Sequence, residues 1–370
     1  MLRIILLCAM LTFIFINPML AITNESRQTN SATEKWETLD PTFSTTDIDS
    51  LKRLLLTHKD PKIRGKAASL LGLAFAKGII VNSRTISELL QAWDKESNEG
   101  VKSEMLVSFW HITKKEQDPR IAEITINIIK TSVEETSVFT KIRALQVLNN
   151  LGGDRRIENE LINIVNEKFS PSIFLQEELV KEAVYCLGKM KSKRAIPILT
   201  KKLLYLLRNP DDELYKKIRT ECFGGDTPLP SFGEFLVGVY TSGLNKIGGE
   251  EVKEIVRPML KSSNKKEKHQ GAKILGNLGD TAAFPVLCEM VTQSENYQDR
   301  WMAVKYLSGL NDKRAIPTLK EALNDKYVDH MNPLNRPVAF AAYQALTKLG
   351  VKVEMRFPKE GKPPEYKVIE

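Results

Sequence analysis

His58, His111, His269 and His330 are the first residues to consider for chemistry. None is followed by Glu. No two lie three or four apart, the spacing that puts two ligands on one helix face. A zinc centre would have to gather its ligands from remote parts of the chain. Asp211-Asp212-Glu213 lacks the alternating oxygen donors of a calcium loop. It reads instead as a charge cluster at a helix N-terminus, where negative charge is favourable. Gly248-Gly249-Glu250-Glu251 reads as a helix junction. There is no Gly-rich phosphate loop and no Ser nucleophile elbow. These residue types and spacings predict no catalytic site, no metal and no cofactor.

The first residues point to a compartment rather than a reaction. Residues 1–21 have the layout of a signal peptide: Arg3 at the positive start, an uncharged apolar run from Ile4 to Ile16, and Ala21 as the last residue before cleavage. The run is short of the roughly 20 residues of a spanning helix. Export to the periplasm or the extracellular space is therefore expected. An uncleaved membrane anchor is the alternative, and the only membrane contact foreseen. After cleavage Cys186, Cys222 and Cys288 remain, an odd number, so they cannot all pair within one chain. Cys186 and Cys288 fall in apolar helical patterns and are expected to be small buried hydrophobes. Cys222 lies in an irregular stretch and is the one expected to be exposed. Residues 22–46, rich in Thr, Ser, Asn and Glu, read as a flexible leader.

Lys and Arg total 54 against 46 Asp and Glu, and the excess is spread along the chain, which favours acidic partners only weakly. Two basic clusters stand out: Lys189, Lys191, Lys193 and Arg194, and Lys261, Lys265, Lys266 and Lys268. They read as solvated turns. Export counts against nucleic acid as a partner, and anionic lipid or polysaccharide stays open. With 42% hydrophobic and 27% charged residues, wholesale disorder is excluded.

The elements that must carry these residues are repeated. Lys193-Arg194-Ala195-Ile196-Pro197-Ile198-Leu199 recurs as Lys313-Arg314-Ala315-Ile316-Pro317-Thr318-Leu319, and more loosely as Thr281 to Leu287. A frame residue closes each unit: Leu71, Phe109, Leu148, Leu187, Leu244, Leu275, Leu307 and Leu346, at intervals of 38, 39, 39, 57, 31, 32 and 39. Such a period predicts a stacked helical solenoid. Before each frame residue, small or apolar side chains recur at helical spacing, as in Ile63, Ala67 and Leu70. Gly72, Gly188 and Gly276 are expected to end helices. Asp154, Asp280 and Asp312 are expected to cap the next helix. The Pro of the recurring phrase is expected in that helix's first turn, or at a slight bend.

The stretch from Asp60 to Gly72, Asp-Pro-Lys-Ile-Arg-Gly-Lys-Ala-Ala-Ser-Leu-Leu-Gly, resembles the second helix of a HEAT repeat. The Ala-Ile-Pro-x-Leu phrase resembles the first. The short bacterial variety named after phycobilin lyases is the more similar. This resemblance spans about residues 47–350. It implies an all-α, right-handed α-solenoid of about eight helix pairs, commonly used to bind proteins. It also implies that the second helices line a concave face. Counting back from the frame, the outward positions include Lys66 and Ser69, then Arg143, Gln146, Glu182, Tyr185, Gln270, Lys273, Trp301, Lys305, Phe340 and Gln344. Trp301, Tyr185 and Phe340 are large for such positions and would anchor a partner, or pack between units.

Two segments depart from the repeat. An insertion at about 209–233 holds Asp211, Asp212, Lys216, Cys222 and Asp226, and is either a binding loop or a tolerated surface insertion. In the tail, residues 351–370, Val351, Val353, Met355 and Phe357 alternate with charged residues, so a short hairpin is expected. It would cap the last repeat, or pair with a partner's sheet edge. The function that follows is a non-catalytic exported scaffold that binds another protein. The rivals are a lyase-like accessory holding a small ligand in its groove, and an envelope binder of anionic lipid or polysaccharide.

Overall fold

The computed structural model describes residues 45–79, 83–131, 137–167, 173–209, 232–329, 335–357 and 363–369. The chain divides into two compact units, residues 1–51 and 52–370. The signal segment, the leader and nearly all of the insertion lie outside the described residues. In the first unit only the start of helix α1 (Thr45–Thr57) is described.

Among the described residues fifteen further helices follow, in alternating order. They are α2 (Pro61–Ala76), α3 (Ser83–Lys95), α4 (Glu99–Thr113), α5 (Pro119–Lys130), α6 (Val138–Asn150), α7 (Glu158–Asn166), α8 (Ile173–Lys189) and α9 (Ile196–Arg208). Then come α10 (Phe232–Ile247), α11 (Glu250–Val256), α12 (Lys265–Asn277), α13 (Phe284–Gln293), α14 (Tyr297–Leu310), α15 (Ile316–Ala322) and α16 (Pro337–Lys348). From α2 onward every even-numbered helix packs on the next even-numbered one, and from α3 onward each odd-numbered helix packs on the even-numbered helix that follows it, directly or, for α11, chiefly through the 3-10 turn Arg257–Lys261. The fold is an all-α solenoid of helix pairs, as the period of the sequence predicts. The insertion joins the two helices of one pair, α9 and α10.

All eight frame residues, Leu71, Phe109, Leu148, Leu187, Leu244, Leu275, Leu307 and Leu346, are completely buried. The helices, however, do not end at the glycine that follows. Gly72, Gly188 and Gly276 are still helical. A Cβ on Gly72 would lie 2.5 Å from Cα of Ser108, and one on Gly276 would lie 2.9 Å from Cβ of Tyr306. The Leu-Gly step is therefore the point of closest approach to the next even-numbered helix, which corrects the expectation that it ends one. The left-handed residue that does end the helix lies four places past the frame: Gly152, Gly248, Gly279 and Gly350, with Lys191 and Asn311 in the same role.

The junctions follow the sequence more closely. Asp154, Asp280 and Asp312 accept from the backbone N–H of Arg156, Ala282 and Arg314, closing a 3-10 turn before the helix proper. Pro197, Pro285 and Pro317 sit in the first helical turn, where their missing N–H removes no bond.

Two sets of bonds tie the layers together. At the start of α2, α4, α6, α12 and α14 a basic residue stands four places past the N-cap. Arg64 donates to the carbonyls of His58 and Lys59 behind it, and forks onto Glu96 of the next unit. Arg300 repeats this with Ser294, Glu295 and Asp325. Lys268 reaches Glu289 at 2.7 Å. At the other end a side chain from one even helix closes carbonyls at the C-terminus of its neighbour. Lys115 donates to Phe75 and Ala76, Asn150 to Trp110, Lys189 to Asn149, Lys191 to Lys246, and Lys348 to Ser308. A cation there also meets the negative end of the helix dipole.

The tail forms strands β1 (Val353–Arg356) and β2 (Glu365–Val368), paired antiparallel with Met355 opposite Tyr366. Tyr366 lies against Tyr343 of α16, ring centroids 5.5 Å apart, and Arg336 donates to the carbonyl of Pro364. The hairpin caps the last pair.

Candidate functional site

The predicted outward positions fall on the row of even helices. Most of them are engaged between helices. Arg143 of α6 is 9% exposed and donates to Ser103 at 3.0 Å and Glu104 at 2.9 Å on α4. Ser69 of α2 donates to the same carboxylate from the other side. Glu182 of α8 is buried and accepts from Asn149 of α6 at 2.7 Å. Lys246 of α10 lies over the ring of Tyr185, 4.0 Å from its centre. Gln270 of α12 donates to Thr241 of α10 at 2.6 Å, and Lys273 meets Asp299 of α14 at 2.5 Å. Gln146 and Lys66 are half-buried. Along most of this row, the side chains between layers form a polar ladder. The signal that singled them out, a polar residue at a helix-face position, does not separate a free face from a laddered one.

The ladder stops at α14. Trp301 is half-buried, and Lys305 is exposed with its ammonium 4.5 Å from the indole centre. Phe340 and Gln344 occupy the corresponding places on α16, and both are exposed, Phe340 at 40%. Phe340 is followed by Tyr343, centroid distance 6.1 Å, and then by Tyr366 of the hairpin. Met355, on the same face of the hairpin as Tyr366, and Phe357 are exposed. An aromatic and apolar strip thus runs from α14 across α16 onto the hairpin. Sequence periodicity pointed to Trp301 and Phe340 but not to Tyr343 or Tyr366, whose part depends on how the tail folds back. Asp211, Asp212, Lys216, Cys222 and Asp226 lie outside the described residues.

Electrostatically the strip carries no unpaired acid. Burial raises the carboxyl of Asp299, but bonds from His269 and Lys273 outweigh it and hold it down to about 2. The acidic groups of the row collect earlier, on α8. There burial, and then the charge of Glu178, push Glu177 up to about 8, against the pull of Lys181. Burial also raises Glu182. Burial lifts the thiol of Cys186, which is wholly enclosed, while Cys288 is only half-buried, more open than its apolar pattern suggests. Between α13, α14 and α15 lies an open polar cleft of about 300 Å³, whose Arg300 and Asp325 are bonded to each other. Among the described residues no three His, Cys, Asp or Glu side chains converge to hold a metal. Among them, too, no helix is long and apolar enough to cross a membrane.

The sequence profile of the family described as HEAT repeats matches residues 244–331, and that of the PBS lyase HEAT-like repeat matches residues 180–205. The match to HEAT repeats thus covers these two stretches of the chain. The first match runs from the frame residue of α10 past the end of α15, and the second covers the junction of α8 and α9. Among solved structures, YibA of Escherichia coli is 15% identical over 88% of this chain and 99% of that one, with a TM-score of 0.40. The CpcE and CpcF complex of phycocyanin lyase from Nostoc is 14% identical over 89% and 100%, TM-score 0.33. Kap121p is 12% identical over 84% of this chain and 34% of that chain, TM-score 0.41. At these values no ligand or activity passes from those proteins to this chain. No curated protein matches the sequence. In HEAT terms, the exposed strip lies on the second helices of the last two units and on the cap that follows them.

Proposed function

We propose that this chain is a non-catalytic, exported HEAT-repeat scaffold that captures a protein partner on the strip formed by α14, α16 and the hairpin. One observation carries this reading. Side chains that bridge helices along the earlier row give way, in the last two units, to a half-buried Trp301 and to exposed Lys305, Phe340 and Gln344. Aromatic residues beside an exposed cation are the usual anchors of a protein interface. The scattered histidines and the absence of any nucleophile motif in the sequence support a binding role over a catalytic one. Most residues of the first basic cluster are committed to helix carbonyls and carboxylates, which weighs against a face built for anionic lipid.

The test is cross-linked affinity capture of the tagged protein from its own cells. Beside it run the Trp301→Ala, Lys305→Glu variant and a deletion of the insertion. One dominant protein, lost with the double variant, is the expected result. Unchanged capture by the variant moves the site elsewhere, and loss only with the deletion assigns it to the insertion. A co-purifying pigment or lipid with no protein partner overturns the scaffold. Export is tested separately by sequencing the mature N-terminus, expected to begin at Ile22.

A further inference from the structure

The outer edge of β1 is built to pair with itself. Lys352 accepts a hydrogen bond from the backbone N–H of Ile369 at 2.9 Å, and Val353 stands opposite Val368. In an antiparallel pair, bonded and non-bonded positions alternate. Glu354 and Arg356 therefore turn their backbone groups toward β2, while those of Val353, Met355 and Phe357 point to the open edge. Among the described residues no backbone group meets them. Met355, Arg356 and Phe357 are exposed. The edge of β2 is different. Pro364 has no N–H to offer, and Tyr366 is packed on Tyr343.

We propose that two copies of this chain associate through β1, antiparallel, about a two-fold axis at Met355. Two independent features select that axis. The first is parity: only a register centred on a residue, and not between two, lets the open N–H and C=O groups of Val353, Met355 and Phe357 meet those of the second copy. The second is charge. On one face of the hairpin Lys367 stands opposite Glu354, and Glu365 opposite Arg356. The axis at Met355 sets Glu354 against the second copy's Arg356, and Arg356 against its Glu354. Charges then alternate in sign across all four strands, the favourable arrangement for cross-strand neighbours. On the other face Met355 meets Met355 between the two Tyr366 rings, and Val353 meets Phe357. An axis at Glu354 would satisfy the parity but fail on charge, because Glu354 would face Glu354 and Lys352 would face Arg356.

Light scattering of the purified full chain over a concentration series tests this. The mass is expected to rise toward twice that of the monomer. Glu354→Arg places Arg against Arg across the axis, and Arg356→Glu places Glu against Glu, so each alone weakens association roughly ten-fold. An equimolar mixture of the two restores it, because the unlike pairs form only between the two variants. Met355→Cys gives a dimer with a short bis-maleimide, above the wild-type background, and Lys352→Cys does not. A chain that stays monomeric throughout, or a mixture no better than either variant alone, overturns the proposal. Neither result bears on capture of a different protein by the strip.

Discussion

Arg300 is tied to Asp325 by two charge-assisted bonds, Nε to Oδ2 at 2.5 Å and Nη2 to Oδ1 at 3.2 Å, while its Nη1 holds the carbonyls of Ser294 and Glu295. One guanidinium thus closes the turn of its own unit and clamps the next. Both side chains are mostly buried, at 16% and 8% exposure. Removing one partner of such a pair leaves the other uncompensated. Arg300→Ala should cost about 3 kcal/mol in urea unfolding. Arg300→Lys keeps the charge but not the fork, and should fall between the two.

Gly276 and Gly279 are three residues apart and constrained for different reasons. Gly276→Ala drives a Cβ against Tyr306, in a contact where the neighbouring helix must shift. It should cost about 1–3 kcal/mol as an overpacked contact. Gly279 has open space around it but a φ of +70°, so Gly279→Ala should cost about 1 kcal/mol from the left-handed backbone alone. The converse change, Asn311→Gly, should raise the melting temperature slightly, since Asn311 holds the same conformation with a side chain. Melting curves of the three variants check the set.

Leu275 is completely buried within residues 244–331, which match the HEAT-repeat profile. Leu275→Ala should lower stability by about 3 kcal/mol, through lost burial and the cavity left behind. The same change at Leu187 should cost a similar amount, because the frame places both in one environment. Denaturant midpoints compare them directly.

Stability should depend on pH through two groups that act in opposite directions. Burial, aided by the charge of Lys114, depresses His111 to about 4. The unfolded chain then binds a proton that the folded chain refuses, so stability falls as pH drops from about 6.5 toward 4. Glu177 is raised to about 8. The folded chain keeps a proton that the unfolded one has lost, so stability falls as pH rises from about 4.5 toward 8. His111→Gln should flatten the acid limb and Glu177→Gln the alkaline one, read from denaturant midpoints across pH 4 to 8.

The repeat was legible because its physics is local. A buried leucine, a cap and a first-turn proline each leave a mark at a fixed place, and Leu71 to Leu346 could be counted off without knowing what they touch. The role of Gly72 and Gly276 was not legible. A glycine that ends a helix and one that admits a neighbour look alike until the neighbour is placed. Arg143 and Lys305 are both basic residues counted back from the frame, yet one is locked to Glu104 of the adjoining helix and the other is exposed over Trp301 of its own. Tyr366 was hidden for a further reason: its contact with Tyr343 depends on a tail that doubles back.

Three of the four lysines that close neighbouring helix ends point the same way along the stack, and Lys191, which closes the later helix α10, points the other. Lys115 covers α2, Lys189 covers α6 and Lys348 covers α14, so in these cases a later layer finishes an earlier one. A layer copied or deleted as a block at such a junction would still find its lid on the layer that follows. Array length can therefore drift without rebuilding the joints. Among the described residues no helix follows α16, and the hairpin packs on it instead. Any lengthening of the array would have to enter upstream of the hairpin.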